Sequence, residues 1–192
     1  MPGLPARLAV LALLLLACQT QSAPPATPRP APTAPPTPLL VLRAPAAAVL
    51  TSSEVGLPVT AARDHLGAAE AARDTPNEVL ALQTYSAWGW VEASTRTWSG
   101  GGRQASETLL LTLRAQGARK AFATWAADTE RAPFSSSACP PSVAGLDDCR
   151  LGTAGDRALV VGYLDAEAFR LETTGLDGPA LGAKQAARLP AP

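Results

Sequence analysis

Residues 90–114 read WVEASTRTWSGGGRQASETLLLTLR. Trp90 to Trp98 is rich in Trp, Val and Thr, side chains that fit the half-buried surface of a sheet and favour a strand. Ser99-Gly100-Gly101-Gly102 breaks the run, and Glu107 to Arg114 then predicts a second strand with Leu109, Leu111 and Leu113 on one face. A chain reversal at the glycines pairs the two as an antiparallel hairpin. The glycine loop joins strand to strand, so it is read as a hairpin loop and not as a phosphate cradle, which lies between a strand and a helix.

Outward from this hairpin the pattern alternates. Upstream, Thr75-Pro76-Asn77-Glu78 predicts a helix start, with Thr75 as N-cap, Pro76 at the first helical position and Glu78 reaching back to the cap. Val79, Leu82, Tyr85 and Trp88 form its apolar stripe, and Gly89 is placed to end it in the left-handed conformation. Further upstream, Thr60 to Arg73 carries a weak helical pattern through Val59, Ala62, Leu66 and Ala69. Leu39 to Leu50, interrupted by Pro45, reads as an irregular lead-in. Downstream, Gly117 to Arg131 predicts a helix with Ala118, Ala121, Phe122 and Trp125 inward, ended by Pro133. Phe134 to Gly155 reads as loop. Arg157 to Leu164 and Glu167 to Thr173 alternate as two strands joined by Asp165-Ala166, and Asp177 to Arg188 closes with a helix anchored by Leu181. The expectation is an α+β domain: an antiparallel four-stranded sheet of two hairpins, with helices packed mainly on one face.

The N-terminus speaks about location. Arg7 precedes an apolar run from Leu8 to Ala17, too short for the roughly 20 residues that span a bilayer and suited to an export signal. It ends Leu15-Leu16-Ala17-Cys18, which resembles the lipobox of bacterial lipoproteins. That resemblance implies removal of residues 1–17, a diacylglycerol thioether (palmitate-type chains) on Cys18, and Cys18 as the mature N-terminus. Gln19, where an Asp retains many such proteins at the inner membrane, favours the surface or outer membrane. Residues 18–38 carry eight prolines, Pro24 to Pro38, among Ala and Thr. They read as a polyproline II spacer that reaches roughly 60 Å at about 3.1 Å per residue. The expected organisation is therefore signal 1–17, lipidated linker 18–38, one domain over 39–189 and a short tail, 190–192. Asn77-Glu78-Val79-Leu80 leading to Trp88-Gly89-Trp90, then Arg96-Thr97-Trp98, then Gly117 to Phe122 with Trp125, are similar to exported lipoproteins of GC-rich bacteria. The similarity implies an exported α+β domain and no activity or site residues.

With Cys18 given to lipid, Cys139 and Cys149 remain in an exported chain, and export favours a disulfide between them. A zinc site wants about four N or S ligands, and two thiols with one histidine fall short. His65 has only a sequence neighbour, Asp64, and no nucleophile pattern to serve, so it reads as a solvated helix residue. Asp147-Asp148 lacks the alternation of a calcium loop. No catalytic residue, metal or cofactor is assigned. Sixteen basic residues balance sixteen acidic ones without a basic run, which argues against nucleic acid as a partner. Trp90 and Trp98 share strand parity, with Trp88 and Tyr85 beside them. Two readings stay open: exposed rings that bind a sugar, peptide or protein, or rings packed under a helix. The expected function is a membrane-anchored, non-catalytic envelope lipoprotein that binds a partner protein, wall polymer or small ligand. A surface hydrolase with an unrecognised polar cluster and a structural envelope-assembly role are the alternatives.

Overall fold

A computed structural model describes residues 44–189. The signal 1–17, Cys18, the linker to Pro38 and the tail 190–192 lie outside the described residues. Two short helical turns, α1 (Pro45–Ala48) and α2 (Ser52–Val55), lead to strand β1 (Val59–Leu66), helix α3 (Ala68–Arg73) and helix α4 (Glu78–Trp88). Strands β2 (Trp90–Gly100) and β3 (Arg103–Thr112) follow, then helix α5 (Ala115–Thr129). Strands β4 (Ser135–Ala138), β5 (Asp148–Ala154), β6 (Arg157–Leu164) and β7 (Glu167–Thr174) precede helix α6 (Gly178–Ala186).

The strands form one antiparallel sheet in the order β1-β2-β3-β7-β6-β5-β4. The expected four-stranded sheet is corrected to seven; the α+β class holds. The two anticipated hairpins, β2-β3 and β6-β7, form the centre, joined through β3 and β7, and three strands were missed. Thr60 to Arg73 is not one helix, because its first half pairs with β2 as β1. Cross-strand hydrogen bonds there override the helix-forming bias of Ala and Arg. His65 adopts a positive φ of 56° and ends the strand before α3 begins. Within the expected loop 134–155, β5 is recruited by pairing to β6 and β4 by pairing to β5, and the Ser-rich four-residue β4 carries no apolar alternation that could announce it.

Helices cover both faces, which corrects the one-face expectation. Helix α5 leaves the middle of the sheet at β3 and strides to the far edge, where β4 begins, so the chain returns strand by strand to β7. On the α5 face, Ala118 and Ala121 pack with Leu110, Ala93 and Ala168, and Phe122 packs with Leu159 and Val161. On the opposite, α6 face, Trp98, Leu109, Val160, Phe169 and Leu171 meet α1, α2 and α6 through Ala48, Val55, Leu181 and Ala186. A Cβ on Gly182 would lie 2.8 Å from Val160, so a side chain there would hold α6 off the sheet. Both layers bury apolar area that stabilises the fold by about 25 cal/mol per Å².

Helix α4 starts two residues later than the sequence suggests. Asn77 is the N-cap, its Oδ1 accepting from the Leu80 amide at 3.0 Å, while Thr75 Oγ1 donates to the Ala72 carbonyl. Gly89 ends the helix with φ 67°, as its position suggested. A capping pair at α2 went unnoticed: Glu54 Oε2 accepts from Thr51 N at 2.7 Å and from Thr51 Oγ1 at 2.6 Å. Arg188 grips the same carboxylate through both Nε and Nη2 and donates to the Val49 carbonyl. Burial alone would raise the Glu54 carboxyl, but the bonds from Arg188 and Thr51 together outweigh it and lower the pKa to about 2. This clasp ties the N-terminal lead-in to the end of α6. Among the described residues no helix is long and apolar enough to cross a membrane.

Candidate functional site

The four aromatic residues singled out in the sequence do not share one surface. A register shift between Trp90 and Glu92 changes the strand's alternation, so Trp90 faces α5 while Trp98 faces α6. Trp98 is fully buried beside Ala105 and Leu109. The parity expectation for the pair therefore fails on one bulge. Tyr85, Trp88 and Trp90 do come together, with ring centroids 5.3 Å apart for Tyr85–Trp88 and 4.5 Å for Tyr85–Trp90. Trp125 of α5 joins edge-on at 5.9 Å from Trp88. Trp90 Nε1 donates to the Leu66 carbonyl at 2.9 Å, and burial, followed by the charge of Asp74, pushes the Tyr85 phenol above its ordinary value. Trp88 is buried and the other three rings are half-buried, so this cluster chiefly cements α4 to α5 and β2.

Cys139 and Cys149 form a disulfide across ten positions, with Cα atoms 5.5 Å apart. It closes the loop that links the edge strand β4 to β5. His65 is exposed, and its Nδ1 lies 3.0 Å from Glu92 Oε1. It sits at a strand end, not on a helix.

A concave feature lies elsewhere, on the part of the α5 face that α5 leaves bare. Gln104 and Ser106 of β3, Glu172 and Thr174 of β7, and Arg157 of β6 line a cleft of about 330 Å³. Strand pairing fixes these neighbours: Gln104 faces Thr174, Ser106 faces Glu172, and Arg157 faces Thr174. Charges in and beside the cleft are already compensated. Arg157 Nη2 donates to Glu172 Oε1 at 2.7 Å and its guanidinium lies 5.2 Å from the Phe134 ring centre. Arg170 bonds Asp128 at 2.6 Å and stands 3.8 Å from Glu172, and Asp128 also holds Arg131. The result is a file of alternating charges flanked by hydroxyl and amide groups. Such a surface offers directional hydrogen bonds without a net field, which suits a neutral polar ligand better than a strongly charged one. Glu172 is the single carboxylate lining the cleft, and its charge is neutralised by Arg157. No cluster of three potential metal ligands occurs among the described residues. None of the cleft residues stood out in the sequence. Polar side chains at alternate positions of β3 and β7 are what any solvated sheet face shows, and only the path of α5 leaves this one uncovered.

No family model matches the sequence, and no curated protein does. Among solved structures, the extracellular domain of PknH from Mycobacterium tuberculosis is similar, with a TM-score of 0.50 and 11% identity. The alignment covers 75% of this chain and 93% of that one. At this identity the likeness is one of fold: the sheet and its helices follow the plan of a domain that works outside the cell.

Proposed function

We propose that the chain is an exported, lipid-anchored, non-catalytic binding protein of the bacterial envelope, and that its ligand is a neutral hydroxylated molecule such as a wall-polymer segment. The export signal with Leu15-Leu16-Ala17-Cys18 supports the anchor, and the disulfide and the extracellular fold neighbour agree with export. The observation that carries the binding reading is the cleft at Gln104, Ser106, Arg157, Glu172 and Thr174, open yet internally neutralised. Hydroxyl, amide and paired guanidinium groups there match the alternating donors and acceptors of a sugar.

The test uses the exported chain carrying Cys18→Ser, titrated with soluble wall-glycan fragments and followed by amide chemical shifts. Shifts confined to Gln104, Ser106 and Thr174 and lost in Arg157→Ala are the expected result. Unchanged spectra at millimolar glycan overturn the ligand class. The anchor is tested separately, by the mass of the unmodified sequence recovered from host membranes. Cleavage before Cys18 with added acyl chains is expected, and a chain without acyl groups removes the anchor.

A further inference from the structure

Helix α4 buries apolar side chains on one side and exposes others on the opposite side. Its inner side carries Ala81, Thr84, Tyr85 and Trp88 against the aromatic cluster. At 100° per residue, Val79, Leu82, Gln83 and Ser86 point the opposite way, with Leu80 on their flank. Val79 is 69% exposed, Leu80 58% and Leu82 38%. Leu113, 71% exposed, extends this strip past the end of the helix, where its amide donates to the Gly89 carbonyl at 2.9 Å. The outer side carries no charge over about 16 Å, whereas a solvated helix is normally polar there.

Charge is confined to the two ends, and the signs differ. Glu78 stands exposed at the N-terminal end of the strip. At the C-terminal end stand Arg114, next to Leu113, and Lys120, whose Nζ donates to the Ala87 carbonyl at 3.1 Å. Neither Glu78 nor Arg114 has an ion-pair partner among the described residues. An acid at one end, a base at the other and an uncharged middle is the pattern that a two-fold axis makes self-complementary.

We infer that the outer side of α4 is a docking surface for a second copy of this chain, the two α4 helices packing antiparallel about an axis near Gln83. In that arrangement Glu78 of one copy meets Arg114 of the other, the two Leu82 side chains lie together beside the axis, Val79 faces the Ser86–Ala87 end of the other helix, and the two helix dipoles oppose. A single-helix contact falls at the small end of interface sizes, below about 1,200 Å² in total, so pairing in solution is weak. Confinement of both copies to one membrane would raise their effective concentration and favour it. The surface is distinct from the polar cleft, so the two assignments stand or fall separately.

The experiment uses the chain carrying Cys18→Ser, which also removes the thiol at that position. Sedimentation equilibrium from 10 µM to 1 mM (about the range a weak dimer needs) is expected to show the mass rising towards two copies. Glu78→Arg and Arg114→Glu are each expected to weaken pairing about tenfold, and the double reversal to restore it. Both side chains are exposed, so unchanged melting curves distinguish lost pairing from lost folding. Gln83→Cys is expected to yield an intermolecular disulfide under mild oxidation, whereas Thr153→Cys, exposed at a distance from α4, is not. A chain that stays monomeric throughout overturns the inference, as does a dimer indifferent to both reversals. A monomer that instead binds anionic vesicles through Leu82 would assign the strip to lipid, and likewise overturn it.

Discussion

Glu107→Gln is expected to stabilise the protein at neutral pH. Glu107 lies on the α6 face of β3, almost wholly buried, and its Oε2 accepts from the Leu50 amide at 3.0 Å. Burial raises its pKa from 4.5 to about 8, against the lowering effect of the Leu50 bond and of Arg188 and Arg96, while Glu54 raises it further. The sign follows from linkage. The folded state holds this proton up to about pH 8, whereas the unfolded chain releases it near 4.5, so folding binds a proton between the two. Stability from this group is therefore fullest below pH 4.5 and declines as pH rises towards 8. At about 1.4 kcal/mol per pH unit, the loss by pH 7 is on the order of 3 kcal/mol. Glutamine keeps a neutral carbonyl to accept from Leu50 and never ionises, so it escapes the loss. Urea or thermal unfolding from pH 4.5 to 8 checks this. The two proteins should nearly coincide at pH 4.5 and diverge above it, with the variant melting roughly 6–12 °C higher at pH 7. A difference that does not change with pH, or a variant weaker at pH 7, would mean that Arg96 and Arg188 hold Glu107 ionised, and the reasoning fails.

Gly117→Ala should cost at least about 3 kcal/mol, because the new Cβ would lie 1.9 Å from the Trp88 carbonyl oxygen and 2.9 Å from Thr112 Cβ; a variant with wild-type urea midpoint refutes this close contact of α5 with α4. Trp98→Ala should cost about 3–5 kcal/mol in the same assay and leave chemical shifts on glycan addition unchanged, since Trp98 lies on the face opposite the cleft; weakened glycan binding in a fully folded variant would contradict that placement. Replacing Cys139 and Cys149 together by serine should lower stability by about 3 kcal/mol in the chain-entropy model, detected as a lower melting midpoint, and a reductant-insensitive wild-type midpoint would oppose it. Asn77→Ala should lose about 1 kcal/mol through its cap, whereas Thr75→Ala, off the helix start, should leave the α4 amide of Leu80 as protected from exchange as before.

The sequence exposes the middle of this fold and conceals its borders. The β2-β3 and β6-β7 hairpins carry runs such as Thr108 to Leu111 and Leu159 to Val161, whose β-branched or apolar content marks a buried strand without knowledge of its neighbours. Edge strands have no such burden. All of β1 except Leu66 is exposed, so it needs little apolar content, and its Ala and Arg residues bias a sequence reading towards helix. The aromatic site was obscured by a different cause. One inserted residue between Trp90 and Glu92 reverses the alternation that parity arguments assume, and nothing in Trp90-Val91-Glu92 signals it. The cleft was concealed because it is defined by what does not cover it. Gln104, Ser106 and Thr174 are ordinary outward-facing polar residues until the path of α5 is known.

The borders also explain why the open polar face can remain open. A seven-stranded antiparallel sheet presents two edges that could pair with other chains. At β1 the pairing to β2 is interrupted twice, and the strand carries Arg63 and Asp64. Arg63 is engaged by Glu70 and Asp74 of the α3 segment, and Arg96 holds Asp64 in a two-pronged pair that keeps its carboxyl below the ordinary value. At the other edge β4 is only four residues long, lies between Pro133 and Pro140, and is tied back by Cys139. Charges and irregular register block one edge, while brevity, proline and a covalent tie block the other. With both edges unfit for strand addition, a sheet face and a helix side remain for the proposed recognition, which is where the polar cleft and the uncharged strip of α4 lie. Strand addition is thus the interaction mode this domain is built to refuse. A partner peptide found to extend β1 or β4 in ladder fashion, seen as new amide protection along Val59–Leu66 or Ser135–Ala138, would contradict this division of the surface.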